Sequence, residues 1–285
     1  MITKGSLALA VFFVVTSAAA QPAYRDNPVK YKGISEEKTY HLYNNKDYPS
    51  AHLKFDFFYP ESYNDKFILE KTQALFIGEF FGQDYMVYDP KEAARQYLVD
   101  YVACYKKQFE ESGLFLEEKK SAEARGERIE DYISLYINEE VIRNTILFNK
   151  RNLISQVINR YTYTGGAHGL SYTKGVTIDL STGNILGFDD VFKEDAKEDL
   201  ADLILEMLMR EFKADSMDNL EEMGFFFDEF QPSTNFVVDA KGITFIYGQY
   251  ELGAYALGII EVPITYHYLL PYIKEESPVS RIMTF

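Results

Sequence analysis

The sequence predicts an α+β fold, mainly antiparallel sheet with two or three packed helices. Three patterns carry that expectation. Leu53, Phe55, Phe57 and Tyr59 alternate with His52, Lys54 and Asp56, the period of a half-buried strand. From Tyr132 to Tyr163 the chain runs through segments rich in Ile, Val, Tyr and Thr, separated by short polar breaks. Two further stretches, 90–109 and 195–212, carry apolar residues every three or four positions, as amphipathic helices do. Strand-like and helix-like segments come in separate runs, which favours α+β over an alternating parallel architecture.

In chain order, Lys4 and the apolar run Leu7–Val15 precede the small residues Ala18-Ala19-Ala20, the pattern of an export signal over residues 1–20. Residues 21–33 are polar and hold Pro22 and Pro28, so they read as a flexible leader. A first strand is expected over 34–43 and a second over 52–59, ended by Pro60. Asn64 and Asp65 can cap a helix over 66–81, with Gly82 as its stop. Asp89 and Pro90 open a second helix, with Glu92 placed for a capping box, and Gly113 ends it. The charged stretch 117–131 reads as a solvated loop or helical turn. Strands follow over 133–137, 141–148 and 153–163 as an antiparallel meander, then 176–180 and a turn at Ser181-Thr182-Gly183-Asn184. A helix over 195–212 presents Leu200, Leu203, Ile204, Met207 and Leu208 on one face. Phe236 to Tyr247 forms a hairpin, 249–258 a loop rich in tyrosine and glycine, and 259–264 a last strand before a short helix.

The chain has 285 residues, of which 47% are hydrophobic and 16% aromatic, enough for a substantial core. Its formal charge of −15 repels nucleic acid and anionic lipid and attracts basic partners. After signal cleavage no segment is long and apolar enough to span a membrane. With a single cysteine, Cys104, an intrachain disulfide and a four-cysteine zinc site are excluded. Cys104 is expected to be a buried, inert thiol. No metal-binding spacing, phosphate loop, dinucleotide fingerprint or nucleophile elbow occurs, so no cofactor is expected.

The most distinctive stretch runs from Tyr161 to Gly169 and holds Gly165, Gly166 and Gly169 around His168. Together with Asp179-Leu180-Ser181-Thr182-Gly183, Asp189-Asp190-Val191-Phe192, the hairpin residues Phe236, Gly242 and Phe245, and the loop pieces Tyr250-Glu251-Leu252 and Tyr255-Ala256-Leu257-Gly258, it resembles a secreted bacterial domain family. That RsiV-like/PdaC-like family includes the extracellular module of a lysozyme-sensing anti-sigma factor and the N-terminal domain of a peptidoglycan deacetylase. The resemblance spans residues 35–273. It implies a PdaC-like segment over 34–186 and an RsiV-like segment over 187–275, packed as one exported periplasmic or extracellular unit. It also implies binding of a basic envelope protein such as lysozyme, or of peptidoglycan. Only Met1 to Ser6 precede the apolar run in this sequence, and no second half of enzyme length follows in it, so neither sigma-factor signalling nor deacetylation is expected to carry over.

Within these pieces the candidate ligand-binding residues are Tyr163, His168, Tyr250, Glu251 and Tyr255. His168 is also the candidate catalytic group of an alternative reading, a cell-wall hydrolase with Asp or Glu partners. The flanking glycines favour a structural link, with the imidazole hydrogen-bonded to backbone. Asp189 and Asp190 stand where carboxylates cap a helix, and Glu251 is placed to bind a basic group or its own loop.

Overall fold

The computed structural model describes residues 29–228 and 230–283. The expected signal, residues 1–20, and the first eight residues of the expected leader lie outside the described residues. The first strand, β1 (Lys30–His41), begins four residues before the expected start. It pairs antiparallel with β2 (Ser50–Ser62), and Pro60 does not end that strand. Pro60 sits instead opposite Tyr31, beside a bulge at Lys30/Tyr31, where a residue without an N–H is tolerated.

The helix α1 (Lys66–Phe81) follows, with the Asp65 carboxylate accepting from the Ile68 N–H and Gly82 ending it at φ +121°. In α2 (Pro90–Tyr105) Asp89 accepts from the N–H groups of Lys91 and Glu92. Glu92 does not close the capping box: its carboxylate takes the Arg95 guanidinium. The charged stretch 117–131 lies as far as Arg125 in a full helix, α3 (Leu114–Arg125), with Phe115 and Ala122 buried beneath it, and ends in a short 3-10 turn, Ile129–Asp131. The segment expected as a strand at 133–137 is a short 3-10 turn, Ile133–Tyr136. Tyr136 turns its ring onto Phe109 and Phe115, both at 5.3 Å, and its carbonyl accepts the Tyr105 hydroxyl at 2.6 Å. Packing on α2 and α3 thus draws this β-prone segment off the sheet. Cys104 is exposed, not buried. The buried side of α2 carries Tyr97 and Tyr105, and Cys104 falls outside that stripe.

The meander is β3 (Asn138–Lys150), β4 (Leu153–Tyr163) and β5 (Leu170–Asp179), with the two-residue β6 (Asn184–Ile185) at its edge. The six strands lie in sequence order and are antiparallel except for the β2–β3 pair. That parallel step is bridged by α1 to α3, because parallel neighbours need a long crossover. One core lies between this sheet and α1 and α2, built on Leu53, Phe55, Phe57, Ile142, Ile158 and Phe80.

After α4 (Phe188–Val191) come α5 (Lys197–Phe212) and α6 (Met217–Glu222). A three-stranded antiparallel sheet then forms from β7 (Phe236–Val238), β8 (Gly242–Tyr247) and β9 (Ile260–Thr265), followed by α7 (Tyr266–Leu269) and α8 (Ser280–Met283). Leu200, Ile204 and Leu208 of α5 pack with Val238, Phe245 and Val262 in a second core. The small sheet meets β5 at Gly175, where a Cβ would lie 2.4 Å from the Phe236 carbonyl oxygen. Beside it the Asn235 amide accepts from the Gly175 N–H (2.9 Å) and donates to the Thr173 carbonyl (2.8 Å), as a neighbouring peptide would. No helix among the described residues is long and apolar enough to cross a membrane.

Candidate functional site

The link between β4 and β5 turns on Gly165 (φ +89°) and Gly166 (φ +95°), angles that side chains resist. A Cβ on Gly165 would sit 2.8 Å from the Leu135 carbonyl oxygen. The Tyr163 hydroxyl donates to the Gly166 carbonyl at 2.8 Å, closing the turn on itself. Gly169 is buried, and a Cβ there would meet the Tyr161 hydroxyl at 2.5 Å and the Thr162 carbonyl oxygen at 2.6 Å.

The loop after β8 docks onto this link. Tyr255 donates its hydroxyl to the Gly169 carbonyl at 2.8 Å and stacks its ring on His168, with centroids 4.1 Å apart. The link is therefore pinned by Tyr255. The His168 imidazole is exposed and makes no hydrogen bond among the described residues, in place of the expected bond to backbone. Nor does any Asp or Glu among them form an ion pair with it. Tyr250, held at φ +66° and 54% exposed, lies 5.6 Å from the Tyr255 ring. Glu251 turns one carboxylate oxygen back to the Gly248 N–H at 2.7 Å. Gln249 caps the open edge of β5, its carbonyl oxygen accepting from the Ser171 N–H at 2.7 Å.

Between loop and sheet lies a groove of about 400 Å³. Arg160, Thr162, Leu170, Ser171 and Tyr172 of the sheet line it together with Gly248, Gln249 and Glu251 of the loop. Arg160 donates to Glu140 at 2.9 Å and to the Phe80 carbonyl at the C-terminal end of α1 at 2.5 Å. There a cation suits the helix dipole. Tyr97 donates to the other Glu140 oxygen at 2.7 Å. Burial, with the Glu140 charge beside it, pushes the Tyr97 hydroxyl well above its ordinary range. Arg160, Leu170, Tyr172 and Gln249 are absent from the sequence-derived site. The available signal is strand parity: Arg160 shares a face with buried Ile154 and Ile158, where an arginine demands a partner.

At the other end of β5 is a larger acidic cleft of about 650 Å³, lined by Asp179, Asp189, Asp190 and Glu276 with Lys274. Asp179, Asp190 and Lys274 are engaged in the fold, and the Asp189 and Glu276 carboxylates make no hydrogen bond or ion pair among the described residues. Asp190 accepts from the Gly187 N–H at 2.8 Å at the start of α4, and Lys274 donates to the Asp189 carbonyl at 2.6 Å. Asp179 accepts both Arg281 nitrogens, at 2.8 and 3.2 Å, and the Ser181 hydroxyl at 2.7 Å. Burial acts to raise the Asp179 carboxyl, and the bonds from Arg281 and Ser181 outweigh it and hold it below its usual range. Among the described residues no group of three or more His, Cys, Asp or Glu is placed to hold a metal ion.

Four likenesses to known proteins bear on this geometry. Residues 189–267 match the family "Protein of unknown function (DUF3298)". A 59-residue stretch is 39% identical to the peptidoglycan-N-acetylmuramic acid deacetylase PdaC of Bacillus subtilis, covering 21% of this chain and 13% of that protein. The chain therefore spans only a small part of the curated relative it matches. The crystal structure of a DUF3298 family member from Bacteroides fragilis superposes with TM-score 0.81 at 28% identity, over 90% of this chain and 98% of the other. A DUF3298 family protein from Pseudomonas aeruginosa shares the fold at TM-score 0.58 and 15% identity, over 87% and 96%.

Proposed function

We propose that this chain, which carries a DUF3298 domain over residues 189–267, is an exported bacterial cell-envelope binding module. Its binding face is the one where the glycine link meets the loop after β8. The observation that carries this reading is their convergence: stretches some 80 residues apart in sequence join through Tyr255, His168 and Gly169 and frame an open groove. The rigid turn at Gly165 and Gly166 and the exposed Tyr250 suit a surface that holds its shape and offers aromatic area. Likeness to a stretch of a peptidoglycan deacetylase supports an envelope setting and directs the ligand search to peptidoglycan. Co-sedimentation with purified peptidoglycan sacculi tests it. The protein is expected in the pellet, with Tyr250→Ser and His168→Ala reducing the bound fraction; a chain that stays in the supernatant defeats the peptidoglycan reading.

A basic protein ligand of the lysozyme type is a second reading, favoured by the formal charge of −15 and the acidic cleft beside α4. Titration calorimetry with lysozyme at low and high salt decides it. Binding that weakens steeply with salt supports it, and no heat at low salt removes it. The hydrolase alternative needs a carboxylate at His168, and the stacked imidazole beside Tyr255 lends it no support.

A further inference from the structure

We propose that the groove beside β5 takes a neutral, N-acetylated pyranose unit of a glycan chain, a ligand assignment that rests on the binding-module reading above. Leu170 and Tyr172 lie two residues apart on one face of β5 and are 52% and 48% exposed. Neither belongs to the two large cores, so the fold leaves an apolar and aromatic platform unoccupied. Two further side chains line the same groove, each with one end committed and the other free. The Gln249 carbonyl oxygen is held by the Ser171 N–H, and its amide nitrogen has no partner among the described residues. One Glu251 oxygen is held by the Gly248 N–H, and the other likewise has none. A donor and an acceptor, each fixed by a backbone anchor and sharing one groove with an aromatic ring, match a sugar ring. Its hydroxyls both give and take hydrogen bonds, and its C–H face is apolar.

Charge narrows the class further. The one cation at the groove, Arg160, is committed to Glu140 and to the Phe80 carbonyl. Among the described residues no other Lys or Arg lines the groove, and Glu251 repels anions, so a phosphate or carboxylate ligand is disfavoured. The volume of about 400 Å³ lies in the range of small-ligand pockets. Leu170, beside Tyr172, supplies an apolar seat for an acetyl methyl.

The test is a nuclear magnetic resonance titration of the full chain with tetra-N-acetylchitotetraose, with the deacetylated tetramer as the comparison. Shifts are expected at Tyr172, at the Gln249 side-chain amide and at Gly248 to Glu251, and the acetylated sugar is expected to bind more tightly. Gln249→Glu and Glu251→Gln retain the oxygens that hold the backbone while exchanging donor for acceptor at the free ends. Each is expected to weaken binding by about tenfold, as is Tyr172→Ala, whereas Tyr172→Phe keeps the platform and most of the affinity. Absence of shifts in the groove, equal binding of the deacetylated tetramer, indifference to Tyr172→Ala, or perturbation of the groove by lysozyme alone each overturns the assignment. If sacculi still carry the protein down while the groove stays silent to the tetramer, the sugar assignment falls and the envelope reading stands. If co-sedimentation fails as well, both fall.

Discussion

The groove and the acidic cleft lie at opposite ends of one strand, β5, and differ in what their side chains are already doing. In the cleft Asp179 binds Arg281 and Ser181, Asp190 caps α4, and Lys274 holds the Asp189 carbonyl. Three groups of the larger and more charged cavity, Asp179, Asp190 and Lys274, are thus tied into the fold, while the Asp189 and Glu276 carboxylates make no hydrogen bond or ion pair among the described residues. In the groove Leu170, Tyr172, the Gln249 amide nitrogen and one Glu251 oxygen have no such task. The difference lies in the setting of the unspent groups: in the groove free hydrogen-bonding capacity stands beside exposed apolar side chains, the combination on which the proposed sugar site rests.

The sharpest challenge to that contrast is Arg160, the groove cation, whose hydrogen bonds among the described residues all go to the fold. Arg160→Met removes the partner of Glu140, which is only 6% exposed, and frees the Phe80 carbonyl. Breaking a buried pair from one side costs about 3 kcal/mol or more. Urea unfolding of the variant is expected to show a loss of about 3 kcal/mol, taken at the low end because Arg160 is partly exposed. A loss below about 0.5 kcal/mol would mean that Arg160 is held in the groove for a ligand and not for the fold.

The cleft gives the next effect. Asp179→Ala removes the carboxylate that Arg281 pairs with and the acceptor of the Ser181 hydroxyl and N–H, for an expected loss of about 2 kcal/mol at neutral pH. The pH dependence has a definite sign. Asp179 is held below its usual carboxyl range in the fold, so its contribution is complete above the unfolded-state value of about 3.9. It is lost as pH falls through the lower folded value. The stability gap between the wild-type chain and Asp179→Ala should therefore be full at neutral pH and close under strong acid. A gap that stays constant into strong acid would show that the Arg281 pairing is not its source.

Elements whose periodicity and caps agree are legible in the sequence. The helix over 66–81 is bounded by Asp65 and Gly82, and β4 by polar turns and the glycine link. Legibility fails where packing overrides local preference. Ile133–Tyr136 has strand composition, but Tyr136 packs against Phe109 and Phe115. The charged stretch hides a helix because only Phe115 and Ala122 mark its buried side. The candidate site divides in the same way. The glycines and the Tyr250–Tyr255 loop stand out by composition. The groove does not, because it depends on register: Arg160 pairs with Tyr172 across β4 and β5, and Gln249 reaches Ser171 from 78 residues away. No local pattern encodes a pairing of that range.

The smallest expected effect is the one that most directly supports the contrast. Tyr172→Ala and Leu170→Ser alter exposed side chains outside both large cores, so each should change unfolding stability by less than about 0.5 kcal/mol. That near-silence is informative only beside Asp179→Ala, whose cost comes from a residue that is 3% exposed. If Tyr172→Ala instead destabilises the chain as much as Asp179→Ala, Tyr172 is a packing residue and the groove is an incidental gap between loop and sheet. If stability is unchanged while sacculi binding drops, the aromatic face at this end of β5 serves a ligand, and the other end serves the fold.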